Sequence, residues 1–163
     1  MLELLVRNRA FLEPYDPYRP QSDFTLEGQR AAIAELAVAR ATDAAYAFCI
    51  RAGGRIVGRV TLSQVFRKAF RNCYLGYWVD EEHNGRGYAT AAVRLAVLHA
   101  FDELDLHRVQ ANVMSSNPRS VRVLEKAGFR KEGRALRYLQ IAGRWEDHDM
   151  YAITVEDLDR RTI

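Results

Sequence analysis

The sequence predicts a mixed α/β fold, a central sheet with helices on its faces. Three observations lead there. Helical periodicities and strand-like runs succeed one another in the order α-α-β-β-β-α-β-α-β-β. The run "RNCYLGYWVD" at 71–80 is apolar at odd and even positions alike, as a central strand covered on both sides must be. That run passes through "EEHNGRGYAT" at 81–90, with two glycines and an Asn, directly into a long Ala/Val/Leu pattern.

Taken in order, Leu2, Leu5, Val6 and Phe11 suit a short amphipathic helix. It must end at "EPYDPYRPQSD", whose three prolines break helical pairing and make this the one disorder-prone stretch. Thr25 can cap a second helix through Ala41, with Leu26, Gln29, Ile33, Leu36 and Ala37 along one face. "YAFCIRAGGRIVGRVTLSQV" reads as a β-hairpin turning at Gly53-Gly54. After the central strand, Ala89, Ala92, Val93, Ala96, Ala100 and Leu104 recur every three or four residues, a helix. "HRVQANVM" returns to strand character. Asn117 then stands at an N-cap, Pro118 at the first helical position and Gly128 just past the helix end. "FRKEGRALRYLQI" and "RWEDHDMYAI", split by Ala142-Gly143, close the chain as a second hairpin.

Composition narrows the function. The 163 residues suit one domain, 1–163, and the 48% hydrophobic and 28% charged content is that of a soluble protein. No apolar run approaches the roughly 20 residues of a membrane span. Glu3, Arg7 and Arg9 interrupt any signal-like start, so a cytoplasmic protein is expected. Cys49 and Cys73 lie in apolar runs and read as buried, reduced thiols. The four histidines lack ligand spacing, so no metal is expected. Net charge is +3, but Lys and Arg are spread along the chain rather than gathered on one element. That argues against a nucleic-acid binder and leaves room for a local anion site.

The glycine stretch has the geometry of such a site. A strand leading through glycines to a helix start aims free backbone N–H groups and the positive end of the helix at one small volume. Gly85 and Gly87 let the backbone approach a phosphate, and Asn84 and Arg86 add donors. An ordinary "NG" turn is the competing explanation, but it leaves the second glycine and the capless helix unexplained. The stretch is neither a Walker A loop, since no Gly-Lys-Ser/Thr follows, nor a dinucleotide G-x-G-x-x-G.

Asn84-Gly85-Arg86-Gly87-Tyr88-Ala89 resembles the Q/R-x-x-G-x-G/A signature of the GNAT N-acetyltransferases, with Asn84 in the Gln/Arg place. "SSNPRSVRVLEKAGFRKEG" is similar to the N-x-x-S helix and "GF" strand of that family. "RYLQIAGRWEDHDMYAI" resembles the closing hairpin of its RimJ/RimL-type group, which acetylates protein N-termini, notably of ribosomal proteins. The resemblance runs from about Asn8 to Ile153.

It implies acetyl-CoA as co-substrate, with the pantetheine arm between two splayed parallel strands at 74–80 and 108–114. The main chain at Trp78, Val79 and Asp80 would pair with the arm. The N–H groups of Asn84, Gly85, Arg86, Gly87, Tyr88, Ala89 and Thr90 would hold the pyrophosphate. Asn117 matches the residue that orders the far side of the arm, beside its plain reading as an N-cap. Ser120 matches the serine that faces the thioester sulfur. Aromatic Phe66, Tyr77, Trp78, Tyr138 and Trp145, with His148, are candidates for an acceptor pocket, although aromatics on strands are more often core.

The chain also departs from the family. Asn112 stands where many relatives carry a glutamate base, Leu124 where a subgroup has a tyrosine acid, and Arg137 where some ribosomal-protein enzymes have a glutamate. Glu82, Glu146, Asp147, His148 or an ordered water are the candidate bases by chemistry alone. The family's short opening strand has no counterpart before "LELLVRNR": either it is missing or the start lies upstream. The acceptor implied is the α-amine of a protein N-terminus. A small amine (polyamine, amino acid or antibiotic), or a non-catalytic acyl-CoA-binding module, are the alternatives, and a homodimer is left open.

Overall fold

The computed structural model describes residues 1–158. Apart from a split in the first helix, its elements follow the expected order: α1 (Leu2–Arg7), α2 (Arg9–Leu12), α3 (Leu26–Ala41), β1 (Ala45–Ala52), β2 (Arg55–Phe66), β3 (Asn72–Val79), α4 (Tyr88–Leu98), β4 (Arg108–Met114), α5 (Pro118–Lys126), β5 (Arg130–Ile141) and β6 (Arg144–Thr154). The six strands form one mixed sheet in the order β1-β2-β3-β4-β6-β5. Only β3 and β4 run parallel, and they lie at its centre.

Strand register sorts side chains onto two faces, because residues directly opposite one another point the same way. Cys73, Leu75, Tyr77 and Val79 of β3 share a face with Val109, Ala111 and Val113 of β4 and with Tyr151 and Ile153 of β6. Helices α4 and α5 cover this face, supplying Val93, Val97 and Leu124 to the main core. On the other face, Trp78 packs with Leu4, Leu5 and Leu12 of the N-terminal helices in a separate, smaller core.

Several sequence expectations need correction. The first helix is two, broken at Asn8, and Val6 is 52% exposed while Leu4 and Leu5 are buried. Asn8 is itself fully buried, because its amide bonds Asp80 rather than facing water. Thr25 caps α3 by accepting the Gly28 N–H, but Leu26 and Ile33 are exposed. That helix meets the sheet mainly at the edge strand β1, so its inner side needs only Gln29 and small or half-buried residues such as Ala32 and Ala39. Cys49 is exposed and only Cys73 is buried, its thiol pushed up to about 12 by burial. The proline stretch is tied down through a bridge from Pro17 to Ile141 and an ion pair between Arg19 and Asp16. The helix after the glycines ends in a π-helical turn, His99–Glu103, that no periodicity announced. No helix of the described residues is long and apolar enough to cross a membrane.

Candidate active site

The centre of the sheet is open. β3 and β4 pair only at Asn72–Arg108, Cys73–Val109 and Tyr74–Gln110, and then diverge. Beyond Tyr74, the side of β3 that faces β4 has no strand partner. Which main-chain groups point into the opening follows from the other edge of β3. The Asp80 N–H donates to Val57 O at 2.8 Å, so Asp80 faces β2. Alternation then turns Trp78 toward β2 as well, and turns Tyr77 and Val79 toward the gap. Of Trp78, Val79 and Asp80, only Val79 therefore presents its N–H and C=O to an arm lying there, and Tyr77 joins it.

At the top of β3 the chain makes a single turn, Glu81–His83, and enters the glycine stretch. Gly85 and Gly87 both adopt left-handed φ, +74° and +82°, which only glycine holds without strain. Gly87 is the N-cap of α4, and no side chain caps the helix. The first helical bond is Ala91 N–H to Gly87 O, so among the described residues the N–H groups from Gly85 to Thr90 are left without an acceptor. Asn84 differs: its N–H donates to Glu81 O, while its side-chain Nδ2 is buried with no partner. A row of unmet donors at a helix N-terminus is an anion cradle.

The cradle is anchored from below. The buried carboxylate of Asp80 accepts from Asn8 Nδ2 and from Arg7, both at 2.7 Å, and lies 2.7 Å from His83 Nδ1. Asn8 Oδ1 takes the Glu81 N–H at 2.8 Å. Burial works against the Asp80 charge, but the bonds from Asn8, His83 and Arg7 outweigh it and hold the carboxyl below its ordinary value. Asp80, Glu82 and His83 bring ligand-type atoms within 4.8 Å of one another. Arg7 already lies against both carboxylates, 2.7 Å from Asp80 and 3.9 Å from Glu82, and that positive charge disfavours a cation.

Across the gap, Asn117 caps α5 by accepting the Ser120 N–H at 3.1 Å. Ser120 lies in the first helical turn. Its hydroxyl is 2.8 Å from Tyr77 Oη, which also lies 3.1 Å from Ser120 O. Burial pushes the Tyr77 phenol up to about 12, so it is a permanent donor at neutral pH. Strand and helix are thus bonded to each other beside the gap.

The aromatic candidates do not form one pocket. Tyr77 is on the helix-covered face with Ser120. Trp78 is in the N-terminal core, with its indole N–H unpartnered. Phe66 stacks on Phe70 at 5.5 Å, and Trp145 is 62% exposed on the face opposite His148. What does converge is Tyr138, His148 and Asn112. Asn112 Nδ2 donates to Tyr138 Oη at 2.8 Å, and the Tyr138 and His148 rings lie 5.4 Å apart. Asn112, which the sequence presents only as a lost base, is thus part of this cluster. Of the other candidate bases, Asp147 accepts the Arg137 N–H at 2.8 Å, and Glu146 stands two residues beyond the level of Met114, where β4 ends. The family profile described as "Acetyltransferase (GNAT) domain" matches residues 3–130, and the chain belongs to the GNAT acetyltransferases. It is accordingly an acetyl-CoA-dependent N-acetyltransferase. Over 158 residues it is 45% identical to the probable N-acetyltransferase YjcK of Bacillus subtilis, covering 96% of this chain and 87% of that one. It is 33% identical to the ribosomal protein uS5-alanine N-acetyltransferase of Escherichia coli, covering 96% and 82%. Among solved structures, Mycobacterium smegmatis RimJ in complex with CoA-disulfide superposes with a TM-score of 0.94 at 32% identity, covering 98% and 78%.

Proposed function

We propose that this enzyme acetylates the α-amine of a protein N-terminus, a ribosomal protein being the first to try, with the chain acting as one catalytic domain. The observation that carries this is the acceptor-side cluster at the splay. It offers an amide, a phenol and an imidazole where many relatives have a carboxylate, and such a site suits an amine that gives up its proton easily. The similarity to an enzyme of ribosomal uS5 alanine supports the same acceptor class.

In this reading Gly85 to Thr90 hold the pyrophosphate, Tyr77 and Val79 pair with the pantetheine arm, and Asn117 orders its far side. Held in line, the amine attacks the thioester carbonyl, strand N–H groups steady the oxyanion, and Ser120 receives the departing sulfur.

The test is a competition between acceptors. An α-amine has a pKa of about 7.7–8.0 and a lysine about 10.4, so at neutral pH the α-amine is neutral in roughly 300-fold greater proportion. Acetyl-CoA consumption should therefore be much faster with N-terminal peptides than with N-blocked lysine peptides. Faster lysine acetylation would overturn the α-amine assignment, and turnover confined to polyamines or amino acids would move the acceptor to small amines.

A further inference from the structure

Asn112 and His148 stand beside the splay on the face opposite Ser120. His148 is buried on β6, directly opposite Met114, the last residue of β4 and thus on the rim of the splay. Neighbouring strands lie about 4.8 Å apart, which puts its ring one strand from the gap. Register places it on the face of Asn112 and Tyr74, opposite the face that carries Ser120. A thioester reaching the gap past Ser120 would be met from the other side, where His148 stands.

The hydrogen bonds of the cluster define its chemistry. His148 Nδ1 lies 3.0 Å from the Glu146 carbonyl, which can only accept, so Nδ1 carries the proton. In the neutral ring this leaves Nε2 with a free lone pair. Asn112 spends its Nδ2 on Tyr138 Oη, while its Oδ1 is buried and without a partner. Tyr138 touches both residues and joins them into one unit. A buried carbonyl oxygen with no donor is costly, and an incoming ammonium would relieve that cost.

We infer that Asn112 Oδ1 and His148 Nε2 together receive the acceptor's ammonium group, and that His148 is the general base. This rests on the acetyltransfer reading above but not on which amine is the acceptor. Nε2 takes one proton from the ammonium and becomes imidazolium. The freed nitrogen lone pair forms the N–C bond to the thioester carbonyl, and the C–S bond breaks with its electrons going to sulfur. The second proton leaves the new amide nitrogen and ends on the thiolate, giving CoASH, and the imidazolium later returns its proton to water.

The surrounding charges bear on the pH dependence. They are Tyr138 and Arg137 on β5, Tyr74 on β3, and Glu146, Asp147 and Asp149 on β6. Asp149 is neutralised by Arg134 and Lys131, and Asp147 is occupied by the Arg137 N–H.

The test is the pH–rate profile of kcat/KM with an N-terminal peptide, for wild type and His148→Gln. Below the pKa of the α-amine, about 7.7–8.0, wild type should depend on pH less steeply than His148→Gln, since the base, not the solution, removes the proton. His148→Gln should lose roughly 100-fold at pH 7, and the deficit should narrow, by up to about tenfold in all, as the amine deprotonates on its own above its pKa. Its KM for acetyl-CoA should hold. A deficit constant with pH, or a greater loss from Glu146→Gln, overturns the assignment. If His148→Gln does not fold, the wild-type profile decides: a slope of one up to the pKa of the amine shows that no base acts. If wild type acetylates no peptide, the α-amine reading fails by itself, and the same profiles taken with a polyamine still test His148.

Discussion

Replacing Gly87 by valine should raise the Kd for acetyl-CoA by at least about 100-fold while leaving a folded protein. A Cβ built on Gly87 meets no atom within 4 Å beyond the adjoining residues, so the new side chain starts into open space. Its cost to folding is the left-handed backbone at φ +82°, about 1–2 kcal/mol for a residue with a Cβ. The cost to binding is larger. A branched side chain at the N-cap would fill the space that the N–H groups of Gly85 to Thr90 leave for a phosphate. Losing two charge-assisted hydrogen bonds, each about 1.5–3 kcal/mol, is a loss of roughly 150-fold or more. Calorimetric titration beside a thermal melt separates the two costs. An unchanged Kd in a folded variant would remove the phosphate-cradle assignment.

Ser120→Ala should lower kcat by roughly 10- to 150-fold with little change in acetyl-CoA affinity. A thiolate leaving into a cleft gains about 1.5–3 kcal/mol from one hydroxyl as its charge develops, at about 1.4 kcal/mol per tenfold in rate. The neutral thioester sulfur gains much less. The structure adds a condition. Tyr77 has one proton and two acceptors nearby, Ser120 Oγ at 2.8 Å and Ser120 O at 3.1 Å. When the phenol donates to Oγ, the serine proton is free for the sulfur; when it donates to the carbonyl, the serine proton is turned back onto the phenol. Tyr77→Phe should therefore reproduce only part of the Ser120→Ala loss. Wild-type turnover by Ser120→Ala would leave Ser120 with a structural role and the leaving sulfur without a partner.

Much of this site was legible as strand, turn and helix. Two glycines in phase before a capless helix, and Asn117-Pro118 before another, are local signals, and both sit where the sequence put them. The failures are non-local. Asn8 lies unmarked within the single helix expected over the first residues, yet it is buried on Asp80, 72 residues away, and no pattern within that helix encodes the bond. On α3 the large apolar residues suggest the buried side, yet Leu26 and Ile33 face outward, because close packing on an edge strand favours small residues. Tyr77 could have been placed correctly. Period-two alternation puts it with Cys73, Leu75 and Val79 on the helix-covered face, whereas its aromatic character suggested an acceptor pocket. The partnership of Asn112, Tyr138 and His148 needs the β4–β6 register and the irregular β5–β6 pairing, which the sequence leaves open.

The three-pair seam between β3 and β4 has a mechanical consequence. β1-β2-β3 and β4-β6-β5 are two leaves of one sheet, hinged along a spine only as long as Asn72 to Tyr74. Without CoA, the unpaired edge amides of Tyr77 and Val79 have no strand to protect them, and they should exchange with deuterium faster than the paired amides of β3. A pantetheine arm lying along that edge would act as a removable seventh strand, binding the leaves together. Slowed exchange at those two amides on adding CoA would report the sheet closing, and unchanged exchange would mean the arm lies elsewhere.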